Sequence, residues 1–222
     1  MKVSAKLVAM TQPVDGISAE TAEQFIAYAA RVSNPSNQDN HDTAEGLLRY
    51  CMKNAHWSVF EMANAVIEVN APRDITRQLL RHRSFSFQEF SQRYSDEMEF
   101  TQRSFRRQDN KNRQNSVDDL PSHILKYAYH TTNLITDMCQ GAYLMLRDAD
   151  VAKECARVLL PEGLTMSTLY VNGTLRSWLH YLDVRDDEGV TQWEHVMLAR
   201  ECKKALLPVF PTVIKLKGIS DG

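Results

Sequence analysis

Residues 81–94 concentrate the side chains of this sequence that could do chemistry on a charged ligand. They read Arg-His-Arg-Ser-Phe-Ser-Phe-Gln-Glu-Phe-Ser-Gln-Arg-Tyr. Arginine carries a permanent positive charge and a fork of donors that matches phosphate oxygens, and the aromatic rings offer flat apolar faces. This combination predicts a site for a phosphorylated ligand that bears a ring. It would also suit single-stranded nucleic acid, whose bases stack on aromatic side chains beside a basic groove.

The elements that must position this stretch are a helix and an extended segment. Pro72 is suited to the first position of a helix that runs to about residue 81 or 82. On that helix Gln78 shares a face with Arg81 and His82. From residue 83 the apolar residues alternate with polar ones, which predicts an extended segment. Residues 95–120 are polar and are expected to form a long, partly ordered loop.

The rest of the chain predicts a mixture of few strands and many helices. Strands are expected at residues 1–10, 65–70 and 165–171, and a turn at Asn172-Gly173. Helices are expected after Ser18 and over residues 43–53, 122–147, 152–160, 175–184 and 190–207. No repeat or linker divides the sequence. Residues 1–222 are therefore predicted to form a single α+β domain, with a small mixed or antiparallel sheet flanked by long helices.

Charge and hydropathy limit the classes of function. There are 26 lysines and arginines against 28 aspartates and glutamates, whereas nucleic-acid-binding domains usually carry a basic excess. Asp96, Glu97 and Glu99 add negative charge next to the basic stretch. No apolar run is long enough to cross a bilayer, and residues 1–5 lack a signal core. We therefore expect neither nucleic acid nor a membrane as partner.

The cysteines and glycines exclude other kinds of site. Cys51, Cys139, Cys155 and Cys202 are far apart and form no Cys-x-x-Cys pair, so neither zinc nor any other metal is expected. Free thiols in a reducing compartment are the simplest interpretation. Since the sequence has no glycine-rich phosphate loop, side chains must hold the phosphates of any nucleotide.

The pattern Arg81-His82-Arg83, Ser91 and Arg93-Tyr94 resembles the signature of the flavin-dependent thymidylate synthases. Further segments match that family in the same order along most of the chain. They are Ala30-Arg31-Val32-Ser33, His56-Trp57-Ser58-Val59-Phe60-Glu61, Ala156-Arg157-Val158-Leu159-Leu160-Pro161, the polar positions Arg176, His180 and Arg185, and Gln192-Trp193-Glu194.

The resemblance implies a reductive methylation of dUMP to dTMP. In this family methylenetetrahydrofolate supplies the one-carbon unit, reduced FAD supplies the hydride, and NADPH reduces the FAD. The implied assembly is a homotetramer whose active sites combine residues from several subunits. The expected location is the cytoplasm, or the host cytoplasm if the chain is viral.

By the same resemblance, residues from both halves of the stretch bind dUMP, as two walls of one site. The implied dUMP contacts are Gln78, Leu79, Leu80, Arg81, Glu89, Phe90, Ser91, Gln92, Arg93, Arg157 and Arg185. Gln92 stands where many family members have glycine, and a positive φ angle there would strain it. Arg185 is the implied catalytic residue, because a guanidinium near uracil N3 and O2 polarises the ring for hydride attack at C6.

The implied FAD contacts come from several parts of the chain. They are Ser58, Arg81, His82, Arg83, Glu89, Thr174, Leu175, Arg176 and His180. We expect Ser58, Arg157, Arg176 and Arg185 to join the stretch from other subunits. After Arg185 a histidine of the family has no clear equivalent in this sequence.

Catalysis without a protein nucleophile agrees with the residues available. No cysteine lies beside a basic cluster that would make it a thiolate. Ser91 has no base near it in the sequence that would activate its hydroxyl. If a flavin carries the hydride, the protein need only orient and polarise the nucleotide.

Some residues also have simpler structural explanations. Arg157 could extend from a half-buried helix, and Arg185 could stabilise the end of a helix. His56 could be a core histidine. The arginines of residues 95–120 could contact folate or NADPH, although a solvated loop explains them more simply. A single-stranded nucleic-acid-binding protein and a flavoprotein with another substrate are the alternative functions.

Overall fold

A four-stranded antiparallel sheet is the framework of the computed structural model, which describes residues 3–218. It consists of β1 (Ser4–Met10), β2 (Asn64–Pro72), β3 (Ser86–Glu89) and β6 (Met166–Thr174), in the spatial order β1-β2-β6-β3. Each neighbouring pair is antiparallel. The strands expected near residues 1–10, 65–70 and 165–171 are therefore present.

Helices make up most of the remaining regular structure. Among the described residues they are α1 (Ala22–Ala30), α2 (Ala44–Lys53), α3 (Arg73–Leu79), α4 (Ser122–Asp148), α5 (Lys153–Ala156), α6 (Leu175–Arg185), α7 (Trp193–Leu206) and α8 (Pro211–Leu216). The predicted α+β fold, with a small sheet and dominant helices, is confirmed.

Several helices begin later than predicted, and for α1 and α3 the difference has a local cause. Thr21 caps α1 by accepting a hydrogen bond from the Gln24 N–H group at 3.2 Å, so the helix does not start directly after Ser18. Pro72 ends β2 and precedes α3 instead of forming its first residue. Because α3 ends at Leu79, Arg81 and His82 lie in the turn beyond it and not on its face.

The turn predicted at Asn172-Gly173 is wrong, because β6 continues through both residues to Thr174. Asn172 pairs with Val66 on one side and with Ser86 on the other. A strand paired on both edges keeps its extended backbone. Gly173 serves packing here, since a Cβ atom at this position would come within 2.3 Å of the Phe85 ring.

The chain after α4 also differs from the prediction. The single helix expected over residues 152–160 is divided into α5 and a 3-10 turn at Arg157–Leu159. Pro211 opens α8. Proline is tolerated in the first turn of a helix, where its missing N–H group would have no partner.

The hydrophobic core lies between the sheet and the C-terminal helices. Ile67 and Val69 of β2, Leu169 of β6, Trp178 of α6 and Leu198 of α7 are fully buried in one cluster. Burying a side chain of this size stabilises the fold by about 1.5–3 kcal/mol. The cluster therefore fixes α6 and α7, together with the polar side chains that they carry.

The long helix α4 is packed very differently. It spans 27 residues, all within the part of the chain that the structure describes, and of these Tyr143 alone is buried. Tyr127, Met138 and Met145 are 70%, 72% and 66% exposed. A large exposed apolar surface of this kind is typical of contact with another protein chain.

Candidate active site

Arg185 and His82 meet where α6 ends and the turn after α3 begins. The Arg185 Nε atom donates a hydrogen bond to His82 Nε2 at 3.0 Å. Both side chains are partly buried. Burial lowers the pKa of Arg185, but a guanidinium remains charged in proteins. A partly desolvated positive charge is thereby held in a defined orientation.

The histidine that orients this charge is neutral. Burial, followed by the nearby Arg185, His180 and Arg81 side chains, lowers the pKa of His82 to about 4. Because Nε2 accepts the hydrogen bond from Arg185, the single proton of the ring must reside on Nδ1. His82 thus holds the guanidinium with a lone pair and adds no second charge.

His195 of α7 belongs to the same group and was not predicted from the sequence. It is fully buried, and its Nδ1 atom lies 3.2 Å from Gln78 Oε1. Burial, followed by the positive charge of Arg185 and the nearby His82 ring, lowers the pKa of His195 to about 3. The sequence does contain a signal for its burial. His195, Leu198 and Cys202 recur at helical spacing, which places His195 on the apolar face of a helix. We call Gln78, Arg81, His82, Arg185 and His195 the helix-end cluster.

Two adjoining cavities open beside the helix-end cluster. One, of about 440 Å³, is lined by Arg81, His82, Arg83, Ser84, His180, Val184 and Arg185. The other, also of about 440 Å³, is lined by Trp57, Glu61, Ser84, Arg176, Ser177, Leu179, His180 and Asp183. Ser84 and His180 line both, so the cavities form one continuous trough.

The lining of the trough fits a dinucleotide cofactor. Arg81, Arg83 and Arg176 bring positive charge and forked donors, which suit a diphosphate. Trp57 offers an apolar ring face. A mainly apolar cavity with a few placed polar groups is the usual form of a cofactor site. Of the residues that the resemblance assigns to FAD, five line the trough: Arg81, His82, Arg83, Arg176 and His180.

The turn at Trp57–Glu61 is tied to the start of α6. Glu61 accepts hydrogen bonds from Thr174 Oγ1 at 2.6 Å and from Arg176 Nη1 at 3.0 Å. Thr174 also caps α6, accepting from the Ser177 N–H group at 3.2 Å. Ser58 is exposed on the same turn. The hydroxyl of Thr174 therefore has a structural role, whereas Ser58 and Arg176 are accessible.

Side chains just beyond β3 bind their own chain. Ser167 Oγ donates to Glu89 Oε1 at 2.9 Å, and Arg73 Nη1 donates to Gln92 Oε1 at 2.8 Å. The strain considered for Gln92 is absent, because its φ angle is not positive. Phe90 is partly buried. This segment is ordered by contacts within the subunit.

Two arginines, Arg93 exposed and Arg157 partly buried, lie near the end of β3. Arg93 forms an ion pair with Glu154 at 3.1 Å, in which both side chains are more than half exposed. Arg157 follows Glu154 in the next turn of the chain and is partly buried. The Arg93 N–H group donates to Ser91 Oγ at 3.3 Å. We call residues 89–93 and Arg157 the strand-end cluster.

Strand β3 separates the two clusters within one chain. Its four residues, Ser86–Glu89, span about 13 Å at roughly 3.3 Å per residue. Neither cavity of the trough is lined by residues 89–93, so the joint site of the two halves of residues 81–94 stays a prediction. Arg185 was expected from another subunit, but it meets His82 of the same chain. Arg176, also expected from another subunit, lines a cavity together with Ser84 of this chain.

Several residues named from the sequence have side chains directed into the core. Leu79 and Leu175 are fully buried, and Leu80 packs against the core. Only the backbone of Leu79 or Leu175 could reach a ligand. Phe85 is 7% exposed and therefore cannot serve as a stacking platform for bases. His56 is exposed, so its interpretation as a core histidine is wrong.

The loop over residues 95–120 is held by ion pairs. Arg103 is 12% exposed and pairs with Asp74 of α3 at 2.7 Å and with Glu194 of α7 at 3.3 Å. Glu194 is itself buried. The solvated-loop interpretation is therefore wrong for Arg103, which joins the two helices that carry Gln78 and His195.

The outer part of the same loop is a short hairpin of β4 (Arg107–Gln108) and β5 (Ser116–Val117). Arg106 lies over the Trp193 ring at 5.2 Å from its centroid. Arg107 pairs with Asp119 at 2.6 Å, and both side chains are substantially exposed. These arginines are engaged with their own chain.

The remaining reactive groups lie outside the two clusters. All four cysteines are free thiols, and burial raises the pKa of Cys202 to about 12 and also raises that of Cys51. Within residues 3–218 no group of three or more His, Cys, Asp or Glu side chains could hold a metal ion. In the same part of the chain, no helix has the length and apolarity needed to span a membrane.

Comparison with known proteins agrees with this arrangement. Residues 17–212 match the family model described as Thy1, thymidylate synthase complementing protein. The probable flavin-dependent thymidylate synthase of Paramecium bursaria Chlorella virus 1 is 46% identical, over 96% of this chain and 98% of that protein. The flavin-dependent thymidylate synthase of Synechocystis sp. is 42% identical, over 95% and 97%.

Solved structures extend the match to the fold. The UMP/dUMP methylase PolB of Streptomyces cacaoi, bound with 5-Br UMP, is 26% identical with a TM-score of 0.79, over 96% of this chain and 92% of that chain. Its structure bound with 5-Br dUMP gives a TM-score of 0.80 at 24% identity, over 96% and 94%. The fold and the sequence matches define an enzyme. The chain belongs to the flavin-dependent thymidylate synthase family, as residues 81–94 predicted.

Proposed function

We propose that this chain converts dUMP to dTMP, with methylenetetrahydrofolate as one-carbon donor, FAD as cofactor and NADPH as reductant. The observation that carries this proposal is the hydrogen bond from Arg185 to neutral His82, beside a cavity lined by Arg81 and Arg83. Membership of the family supports the reaction. The nucleotides bound to the related methylase support dUMP as substrate.

Arg185 is the proposed catalytic residue. His82 engages only its Nε atom, so the two terminal nitrogens can donate to a ligand. Donated to uracil O2, with the positive charge held next to N3, these groups withdraw electron density from the ring and prepare C6 for hydride. The neutral state of His82 matters, because a charged imidazolium could not accept the hydrogen bond that orients the guanidinium.

The trough beside Arg185 is the proposed FAD site. Arg81, Arg83 and Arg176 offset the negative charge of the diphosphate, and Trp57 provides a ring face. When bound and reduced, the flavin supplies the hydride that no side chain can provide. Ser58 and His180 are the proposed polar contacts at the rim.

The strand-end cluster is the proposed site for the phosphate and sugar of dUMP. Arg93 and Arg157 provide guanidinium groups, and backbone N–H groups of residues 89–93 can add donors. The ion pair of Arg93 with Glu154 is largely exposed, and such pairs contribute only about 0–1 kcal/mol. A phosphate can therefore take over the Arg93 fork at little cost.

The proposed active site is shared between subunits of a homotetramer. One nucleotide can meet both clusters if the helix-end cluster of one subunit faces the strand-end cluster of another. The exposed apolar side chains of α4, such as Tyr127 and Met138, supply a contact surface for this assembly. The single-domain organisation and the cytoplasmic location remain predictions.

The proposal includes no protein nucleophile. Cys51 and Cys202 are buried and their thiols have raised pKa values. The hydroxyl of Ser91 accepts a hydrogen bond from the Arg93 backbone and has no activating base among the described residues. Ser91 is therefore assigned to nucleotide positioning.

The direct test is to purify the protein, record its absorbance spectrum and add dUMP. We expect a flavin spectrum that dUMP perturbs, and dTMP formation when methylenetetrahydrofolate and NADPH are supplied. A protein that neither takes up FAD nor binds dUMP would contradict the proposal. Binding of single-stranded DNA by such a flavin-free protein would support the nucleic-acid alternative.

The shared site can be tested by mixing two impaired variants at a dUMP concentration well below the KM of Arg93→Ala, where each variant alone forms little dTMP. Arg185→Ala damages the helix-end cluster and Arg93→Ala damages the strand-end cluster. If the clusters of different subunits combine, random mixed assemblies restore about a quarter of the sites, because each site then draws one intact cluster from each variant. Recovery of dTMP formation is expected only after the two variants have exchanged subunits. No recovery in confirmed mixed assemblies would show that both clusters act from one chain.

A further inference from the structure

A short chain of side chains links the buried part of α7 to the surface of the site. His195 Nδ1 lies 3.2 Å from Gln78 Oε1, and Gln78 Nε2 donates to Gln192 Oε1 at 2.8 Å. His195 is fully buried, Gln78 is partly buried and Gln192 is exposed. This series of hydrogen-bonded side chains therefore runs from the core to the surface of the protein.

Hydrogen bonding determines which nitrogen of His195 carries the proton. The ring is neutral, so it has one N–H group and one lone pair. Its Nε2 atom is buried and has no hydrogen-bond partner among the described residues. A proton on Nε2 would be a buried donor without an acceptor, whereas a proton on Nδ1 is donated to Gln78. The Nδ1–H form is therefore favoured.

This assignment also sets the orientation of the Gln78 amide. Its carbonyl oxygen faces His195, and its NH₂ group faces Gln192 and the surface. One of the two N–H bonds is used by Gln192, and the other is available. Phosphate, ribose and uracil carbonyl oxygens are acceptors, so an outward N–H group attracts them and an outward carbonyl oxygen would repel them.

We infer that His195 is a positioning residue for nucleotide binding, which holds the carboxamide oxygen of Gln78 inward so that its N–H group meets the nucleotide. This inference rests on the proposed function and on Gln78 as a dUMP contact, which the family resemblance implies. His195 itself touches no ligand. Its packing supports a fixed position, since the Tyr181 ring lies between it and His82, with centroid distances of 5.7 and 5.1 Å.

The test compares three substitutions at His195 in the flavin-loaded protein. His195→Asn keeps a donor near the place of Nδ1, His195→Gln places its amide near the position of Nε2, and His195→Phe keeps the ring volume without a donor. The dissociation constant of dUMP is read from the flavin absorbance change, with KM, kcat and flavin affinity measured alongside.

We expect His195→Phe and His195→Gln to weaken dUMP binding about threefold to tenfold, as for one lost hydrogen bond, with flavin affinity unchanged. His195→Asn should bind dUMP within about twofold of the parent protein, even if its Tm falls. When Gln78→Leu is already present, His195→Phe should not weaken dUMP binding any further. If His195→Phe does not fold, the comparison of dUMP affinity between His195→Asn and His195→Gln tests the inference.

Equal dUMP affinity of the Asn and Gln variants would overturn the inference, as would fully additive effects of Gln78→Leu and His195→Phe. A lowered Tm with unchanged dUMP binding in every variant would assign His195 a structural role only. If the parent protein binds flavin and dUMP, these outcomes leave the proposed function intact. If the parent protein binds neither, the proposed function fails and the inference fails with it.

Discussion

The helix-end cluster and the strand-end cluster come from one stretch of sequence, but they are built differently. In the first, His82 and His195 are neutral and buried or partly buried, and each is joined to another member by a hydrogen bond. In the second, Arg93 is exposed and holds only an exposed carboxylate. The first cluster is fixed before a ligand arrives, whereas the second can rearrange.

The difference follows from what surrounds each cluster. The helix-end cluster rests on α6 and α7, whose inner faces belong to the hydrophobic core. The strand-end cluster rests on α5 and lies near α4, which buries Tyr143 alone among its described residues. Groups that must polarise a ring benefit from a fixed geometry. Groups that bind a phosphate can instead adjust their positions to the phosphate. The two clusters should therefore respond differently to substitution.

The largest difference should appear when one arginine is removed from each cluster. We expect Arg185→Ala to lower kcat for dTMP formation by about 10²–10³-fold while FAD stays bound, because a preorganised donor is lost. Arg93→Ala should mainly raise the KM for dUMP. Steady-state kinetics and flavin content measure both. Near-normal turnover of the Arg185 variant would remove this residue from its catalytic role.

The next effect concerns the stability of the helices behind the helix-end cluster. Arg103→Met should lower the free energy of unfolding by about 3 kcal/mol, because buried Glu194 is left without its partner. The control is Arg107→Met in the same loop, whose exposed pair with Asp119 should contribute little to stability because solvent screens it. Urea unfolding measures both. Equal losses in the free energy of unfolding of the two variants would mean that burial of the ion pair does not increase its contribution to stability.

Burial of His195 predicts a smaller effect, which is a dependence of the free energy of unfolding on pH. The pKa of His195 is about 3 in the folded protein and 6.5 in a free side chain, so the unfolded chain binds more protons between these values. The free energy of unfolding therefore falls as pH falls from about 6.5, by about 1–2 kcal/mol at pH 5. His82, with a pKa of about 4, acts in the same direction.

The measurement is the urea midpoint at pH 7 and pH 5 for the parent protein and for His195→Asn. The variant should lose less stability between these two values, because Asn does not titrate. The raised pKa of Glu23 acts in the opposite direction and is common to both proteins, so the difference between them isolates His195. Identical pH dependence would contradict a buried neutral imidazole.

The smallest effect is expected in the strand-end cluster. Ser91→Ala should retain dTMP formation and weaken dUMP binding by less than about tenfold, since one hydroxyl contact to the nucleotide is lost. Ser91→Cys serves as a volume-matched control. Complete loss of activity with intact dUMP affinity would instead indicate a nucleophilic serine.

Local signals in the sequence were sufficient for most elements of the fold. Apolar alternation predicted β1 and β2, and helical periodicity predicted α2, α4 and α6 to within a few residues. The errors occurred where distant residues decide. Asn172-Gly173 carries a turn signal, but pairing with β2 and β3 on both sides keeps it extended.

The sequence by itself determined the family and the types of side chain that the site contains, because residues 81–94 and Arg185 carry recognisable patterns. The tertiary structure alone decided that Arg185 meets His82 within one chain, that β3 separates the two clusters, and that His195 reaches Gln78. The physical reason is that contacts across more than 100 positions, such as that of His82 with Arg185, arise from packing of α6 and α7 on the sheet. No local pattern specifies such contacts.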